Sequence, residues 1–106
     1  MDIQELRRNI VSECLDENGF LVLLHSYVTF DEEKYRSLIN KISAYAELLG
    51  DSDKIDRDVA ACLFELMMAI STAANQFSQI DHPDVSKVID AFREVSTLLH
   101  LQIFTL

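Results

Sequence analysis

Apolar residues recur at helical spacing along most of this chain, and few residues interrupt them. The 106 residues include only two glycines and one proline, so long uninterrupted helices are allowed. In residues 32–49 the apolar side chains follow the i, i+3, i+4, i+7 stripe of one helix face, and residues 84–104 show the same stripe. Residues 3–15 and 55–78 carry it as well. The pattern predicts an all-α protein.

Residues typical of helix ends separate these segments. Asp, Ser and Thr side chains cap free amides at a helix start, Gly suits a helix stop, and Pro suits the first helical position. In chain order the predicted boundaries are a start at Asp2, a stop at Asn18–Gly19, a start at Thr29 or Asp31, a stop at Gly50 and a start at Pro83. Together they predict a single domain, residues 1–106, folded as a compact bundle of four to five helices.

Residues 20–28 allow two structures. Their β-branched and aromatic content permits a strand. A lone strand in a helical chain has no partner, so we expect a short buried helix here.

The segment at about 55–78 is apolar on nearly every face, which is typical of a central helix contacted on several sides. Met67 and Met68 lie beside its main stripe. We expect this pair to fill the core; the alternative is that it lines an adaptable peptide groove.

The last ten residues, TLLHLQIFTL, place apolar side chains around more than one helix face. A single neighbouring helix cannot cover all of them. Either this tail folds across the bundle, or it forms a partner surface, of which a homodimer is the simplest case.

Acidic residues outnumber basic ones by 18 to 9, a formal net charge of −9. Such a chain should repel nucleic acid and attract basic proteins, although solubility alone would also explain the acidity. The start of the chain lacks the apolar core of a signal peptide, and the longest apolar run, 62–70, contains Glu65 and is too short for a bilayer. We therefore expect a cytoplasmic protein whose two cysteines are free thiols.

No pattern in the chain predicts catalysis, a cofactor or a metal. Residues 51–62 fail as a calcium loop, because Ile55 and Cys62 stand where ligands are needed and Asp56 stands where glycine is needed. Helix capping explains the same aspartates. The three histidines lack helical metal-site spacing. Carboxylates at 13, 16 and 17 would need matching acids on a facing helix, and the segment 55–78 offers only Glu65 inside it. A small metal-dependent enzyme is therefore disfavoured.

Alternating helices would bring the turns at 16–19 and 50–56 to one end of the bundle. That end would carry the predicted partner-binding acids Asp16, Glu17, Asp51, Asp53, Asp56 and Asp58. The opposite end would hold Asp31, Glu32, Glu33, Asp81 and Asp84. Tyr27 and Phe30 are candidate aromatic anchors, whereas Tyr35 and Tyr45 lie on the core stripe.

By analogy of size and charge, this predicts an acidic inhibitor of the immunity-protein type that neutralises a basic partner such as a toxin nuclease. Two alternatives use the apolar C-terminal helix. One is a helical chaperone or adaptor, and the other is a homodimeric structural subunit.

Overall fold

The structure, a computed structural model, describes residues 1–50, 52 and 54–104. It contains five α-helices and a closing π-helical turn. They are α1 (Ile3–Leu15), α2 (Phe20–Ser26), α3 (Glu32–Leu49), α4 (Arg57–Gln79), α5 (Val85–Leu98) and the π-helical turn Leu99–Ile103. The described part of the chain has no strand. The predicted all-α bundle is confirmed, and so is the short helix within 20–28.

Side-chain contacts fix the directions of the helices. Arg7 meets Asp58, and one to two turns farther along both helices Cys14 meets Cys62, so α1 and α4 run the same way where they touch. The short turn after Gln79 reverses the chain from α4 into α5. α2 has seven residues and is about 10 Å long, against about 35 Å for α4. It therefore packs on α1 and α4 without spanning the bundle.

α3 runs alongside α5. Glu32 pairs with Lys87 near the starts of the two helices, and the Tyr35 hydroxyl donates to Glu94 farther along at 2.6 Å. α1 packs on α3 and on α4. The bundle thus consists of four long helices with α2 laid against one side.

α4 is the central helix, as predicted, and contacts α1, α2 and α5. Its buried face is apolar and comprises Val59, Cys62, Leu63, Leu66, Ile70, Ala73 and Phe77. Burial is not complete around the helix, since Phe64 and Met68 are 67% and 53% exposed. By length and composition alone α4 could cross a bilayer. That is weak evidence of a span, because the core helix of a soluble protein meets the same criteria.

Two of the predicted helix caps form, and one does not. Asp2 accepts the Glu5 amide at 2.8 Å and caps α1. Asp31, rather than Thr29, caps α3 by accepting the Lys34 amide at 3.0 Å. The Thr29 hydroxyl instead donates to the Tyr27 carbonyl. Of the two candidates for this cap, Asp31 is therefore the one that forms it, because the Thr29 hydroxyl is used within the preceding turn.

Two turn signals lie outside the helices that they were expected to bound. α1 ends at Leu15, so Asn18 and Gly19 belong to the turn that leads into α2. α5 begins at Val85, two residues after Pro83, because His82 and Asp84 close a turn through the Asp84 amide and His82 Nδ1 at 3.0 Å. The stop at Gly50 is confirmed; its φ of 57° favours glycine.

The C-terminal tail continues α5 without a break as the π-helical turn, and part of it packs on the bundle. Leu98 and Leu99 are buried, and Ile103 packs against the core. The π-helical turn contacts α3. Leu101 and Phe104 stay 63% and 43% exposed. Packing on the bundle therefore covers Leu98, Leu99 and Ile103. The alternative of a partner surface stays a prediction, and Leu106 lies outside the described residues.

Candidate functional site

Two of the predicted partner-binding acids, at the start of α4, are paired inside the protein. The Arg7 guanidinium of α1 contacts Asp58 at 3.0 Å and Asp56 at 3.7 Å. Asp58 also accepts the amide of Val59 at 2.9 Å. The hydrogen bond to Asp58 raises the pKa of Arg7 further above its ordinary value. These carboxylates join α4 to α1, so they are only partly available to a partner.

Asp56 has a second internal contact, with Tyr45 near the end of α3. The buried Tyr45 hydroxyl donates to Asp56 Oδ2 at 2.6 Å, and the Asp56 amide donates back to the Tyr45 hydroxyl oxygen at 3.3 Å. Burial, reinforced by the hydrogen bond, raises the pKa of Tyr45 to about 12. The pair ties the end of α3 to the start of α4, which gives Asp56 a structural role.

Asp16 and Glu17 lie elsewhere, at the C-terminal end of α1. Asp16 is nine residues beyond Arg7, about 13 Å along the helix axis. Both residues are exposed, and in the described part of the chain no Lys or Arg pairs with either carboxylate. Asp16 accepts the hydroxyl of Ser12.

The single acidic end predicted for these residues is therefore wrong. The prediction counted α2 as a full-length helix, which would have made α1 and α4 antiparallel. Because α2 is short, α1 and α4 run the same way, and their acids lie apart. Asp51 and Asp53, which belong to the same predicted set, lie outside the described residues. Of the acids predicted for the opposite end, Glu32 and Asp84 do lie close together, since Lys87 lies 3.2 Å from Glu32 and 3.7 Å from Asp84.

The two predicted aromatic anchors differ in exposure. Tyr27 is 67% exposed, whereas Phe30 is buried, with its ring 5.6 Å from that of Phe20 and 5.2 Å from that of Tyr35. The turn after α2 folds Phe30 inward through Val28, whose φ is 48°. Phe30 as an exposed anchor was therefore wrong. Tyr35 and Tyr45 are in the core, as the stripe predicted.

Next to Asp16 lies an apolar groove, and Met68 is one of the residues that line it. We call it the α1/α2/α4 groove; it has a volume of about 510 Å³. Its apolar lining comes from three helices and includes Cys14, Leu15, Leu21, Val22, Ala61, Cys62, Met68 and Ala69. The lining also contains one carboxylate, that of Glu65, and one imidazole, that of His25. The polar remainder is Ser26 and Thr72, so neither Lys nor Arg lines the groove.

Large apolar side chains at the edges of the groove face solvent. Leu15 is 74% exposed and Met68 53% exposed, and Phe64, on the same side of α4, is 67% exposed. Met67, in contrast, packs against the core. The methionine pair therefore divides between the two expected roles. The apolar residues all around α4 favour a central helix, and a groove beside Met68 was the alternative to core filling.

The two cysteines of the groove are free, as predicted. Cys14 Sγ donates to the Cys62 carbonyl at 3.8 Å. Burial raises the pKa of both thiols above the ordinary value. Protonated thiols are poor nucleophiles and poor metal ligands.

Metal chemistry finds no support among the described residues, where no three His, Cys, Asp or Glu side chains converge on one point. Comparison of the chain with family models, curated proteins and solved structures finds no match.

Proposed function

We propose that this protein is a non-catalytic binding protein of the cytoplasm that docks on a basic protein and blocks it, in the manner of immunity proteins that neutralise toxin nucleases. The observation that supports it most directly is the exposed carboxylate pair Asp16 and Glu17. No cation among the described residues neutralises this pair.

Unpaired surface charge attracts a partner more strongly than charge that is already paired. An ion pair has nearly zero net charge, so its field fades quickly with distance. Asp56 and Asp58 share the single cation Arg7, so their two negative charges are offset by one positive charge. Asp16 and Glu17 retain their full field, and the net charge of −9 adds to it. The carboxylates at the end of α1 are therefore the ones expected to steer a basic partner.

The displaced pKa values also favour binding over catalysis. In an enzyme such groups gather in a cleft around the reacting atoms. Here Tyr35 and Glu94 join α3 to α5, Tyr45 joins α3 to the start of α4, and Arg7 joins α1 to α4. Each of these four groups serves a contact between elements of the bundle. The thiols of Cys14 and Cys62 do line the groove, but burial raises their pKa and keeps them protonated.

Affinity capture from the native host lysate, run in parallel at low and high salt, tests the proposal. We expect one basic protein to be retained at low salt and shed at high salt, because screening weakens exposed charge pairs. The variant Asp16→Asn/Glu17→Gln should lose it. The matched control, Glu33→Gln/Glu47→Gln, removes the same charge from two exposed acids of α3 that no lysine or arginine pairs with among the described residues, and it should retain the partner.

The captured protein is then assayed for nuclease activity with and without this protein. Inhibition that the Asp16→Asn/Glu17→Gln variant has lost would support the proposal. Recovery of the bait alone would contradict it. Equal capture by the variant and the control would show that overall charge, and not the end of α1, attracts the partner.

A further inference from the structure

We infer that the α1/α2/α4 groove receives an amphipathic helix of the partner, with a lysine or arginine of that helix set against Glu65. This inference rests on the proposed function, because it takes the partner to be a basic protein. It adds the binding mode and the chemistry of the bound segment.

The shape of the groove fits a helix. It follows α4 from Ala61 to Thr72, an axial length of about 16 Å, which equals three helical turns. A helix that lies in such a groove inserts apolar side chains spaced i, i+3 or i+4, and i+7. Strand addition needs a free sheet edge, and the described part of the chain has no strand.

The apolar edges of the groove provide the contact area. Leu15 and Met68 lie on opposite helices, α1 and α4, and most of each side chain is exposed. Covering them would remove apolar surface from water, which is favourable by about 25 cal/mol per Å². Met68 has a flexible thioether chain that adapts to side chains of different shapes.

The charge around the groove selects a basic helix. Glu65 lies within the apolar lining, and no lysine or arginine pairs with it among the described residues. Asp16 and Glu17 follow Leu15 directly at the same end of α1. A cation on the bound helix would meet these carboxylates.

A second copy of this chain is a poorer occupant. Each copy carries a net charge of −9, and two acidic surfaces brought together repel. A face-to-face pairing of grooves would also bring Glu65, Asp16 and Glu17 of one copy towards the same acids of the other.

Two synthetic helical peptides of four turns test the inference. Both carry leucines at i, i+4, i+7 and i+11; the first has lysines flanking this stripe, and the second has glutamates at the same positions. Binding is followed by fluorescence anisotropy and by the methyl NMR signals of Leu15 and Met68. We expect the lysine peptide to bind and to shift both methyl signals, and the glutamate peptide to bind at least about tenfold more weakly.

Three variants locate the binding. Leu15→Ser/Met68→Ser should weaken the lysine peptide at least about tenfold, because both apolar anchors are lost. Glu65→Gln should weaken it about two- to fivefold, the usual range for one exposed ion pair. Ile80→Ser is the matched control, since Ile80 is 62% exposed outside the groove lining, and it should leave binding unchanged. All of these positions are exposed, so folding should survive; circular dichroism checks this.

Equal binding of both peptides would overturn the inference, and so would binding that Leu15→Ser/Met68→Ser leaves intact. A wild-type dimer in sedimentation that dissociates in the Leu15→Ser/Met68→Ser variant would also overturn it. The peptide result is independent of lysate capture. A captured basic protein that the groove variant still retains would refute the helix site and leave the proposed function standing. Peptide binding without any captured basic protein would refute the proposed function and leave the helix site standing.

Discussion

Replacing Gly19 with alanine should destabilise the bundle, even though the backbone at Gly19 suits any residue. Its φ of −71° and ψ of 161° lie in the extended region. The obstacle is space. A Cβ at this position would lie 2.5 Å from the carbonyl oxygen of Glu13 and 3.0 Å from that of Asp16. Both are backbone atoms at the end of α1, so they can move only if α1 shifts against α2.

The size of the effect follows from two opposing contributions. Forcing extra volume into a close contact costs about 1–3 kcal/mol. Alanine also narrows the unfolded ensemble, which stabilises the fold by about 0.4–1 kcal/mol where the backbone is compatible. The clash involves backbone atoms and should dominate, leaving a net loss of about 1–2 kcal/mol. The shift would also disturb the hydrogen bond from the Phe20 amide to Glu13 Oε2, now 3.0 Å.

Urea unfolding followed by circular dichroism measures this loss. For a chain of this size a loss of about 1–2 kcal/mol lowers the midpoint by roughly 1 M. Asn18→Ala is the control, because Asn18 is the exposed neighbour in the same turn, and it should change stability by no more than about 0.5 kcal/mol. If Gly19→Ala were as stable as the wild type, the close approach of α2 to α1 would be refuted.

Two further predictions follow from displaced pKa values. Hydrogen bonds from Arg36 and Tyr35 hold the pKa of Glu94 below its ordinary value. The carboxylate therefore stabilises the fold above the ordinary glutamate pKa, and this contribution is lost as the pH falls through the depressed value. Urea unfolding at several pH values should show a difference in unfolding free energy between the wild type and Glu94→Gln that shrinks as the pH falls below the ordinary glutamate pKa; a difference independent of pH would contradict this. Burial raises the pKa of Cys14, so iodoacetamide at pH 8 should modify it at least about tenfold more slowly in the folded than in the urea-unfolded protein; equal rates would place the thiol in solvent.

Much of the fold was predictable because local signals agree with the final packing. The stripe in 32–49 predicts the buried face of α3, including Tyr35 and Tyr45, and Gly50 ends that helix as its position predicts. The failures involve competition between neighbouring residues. Thr29 and Asp31 both suit a cap, and only the course of the turn after α2 shows that the Thr29 hydroxyl is already used. A single sequence does not contain that course.

The candidate site was less predictable, because exposure depends on which helices meet. Asp56, Asp58, Asp16 and Glu17 look alike in the sequence as acids near helix ends. The direction of α1 relative to α4 separates them: it places Arg7 beside the first two and leaves the last two without a described cation. That direction depends on α2 being too short to span the bundle, which no charge pattern reveals.

The α1/α2/α4 groove also results from the short length of α2. α4 is about 35 Å long, and α2 covers only about 10 Å of the side it packs against. Part of an apolar helix face is therefore left open, with Met68 exposed while Met67, one residue before it, packs against the core. The sequence makes α4 apolar on nearly every side, and the length of α2 decides which of those sides remains uncovered. A helix bound in the α1/α2/α4 groove, as we propose, would cover this apolar surface beside Leu15 and Glu65.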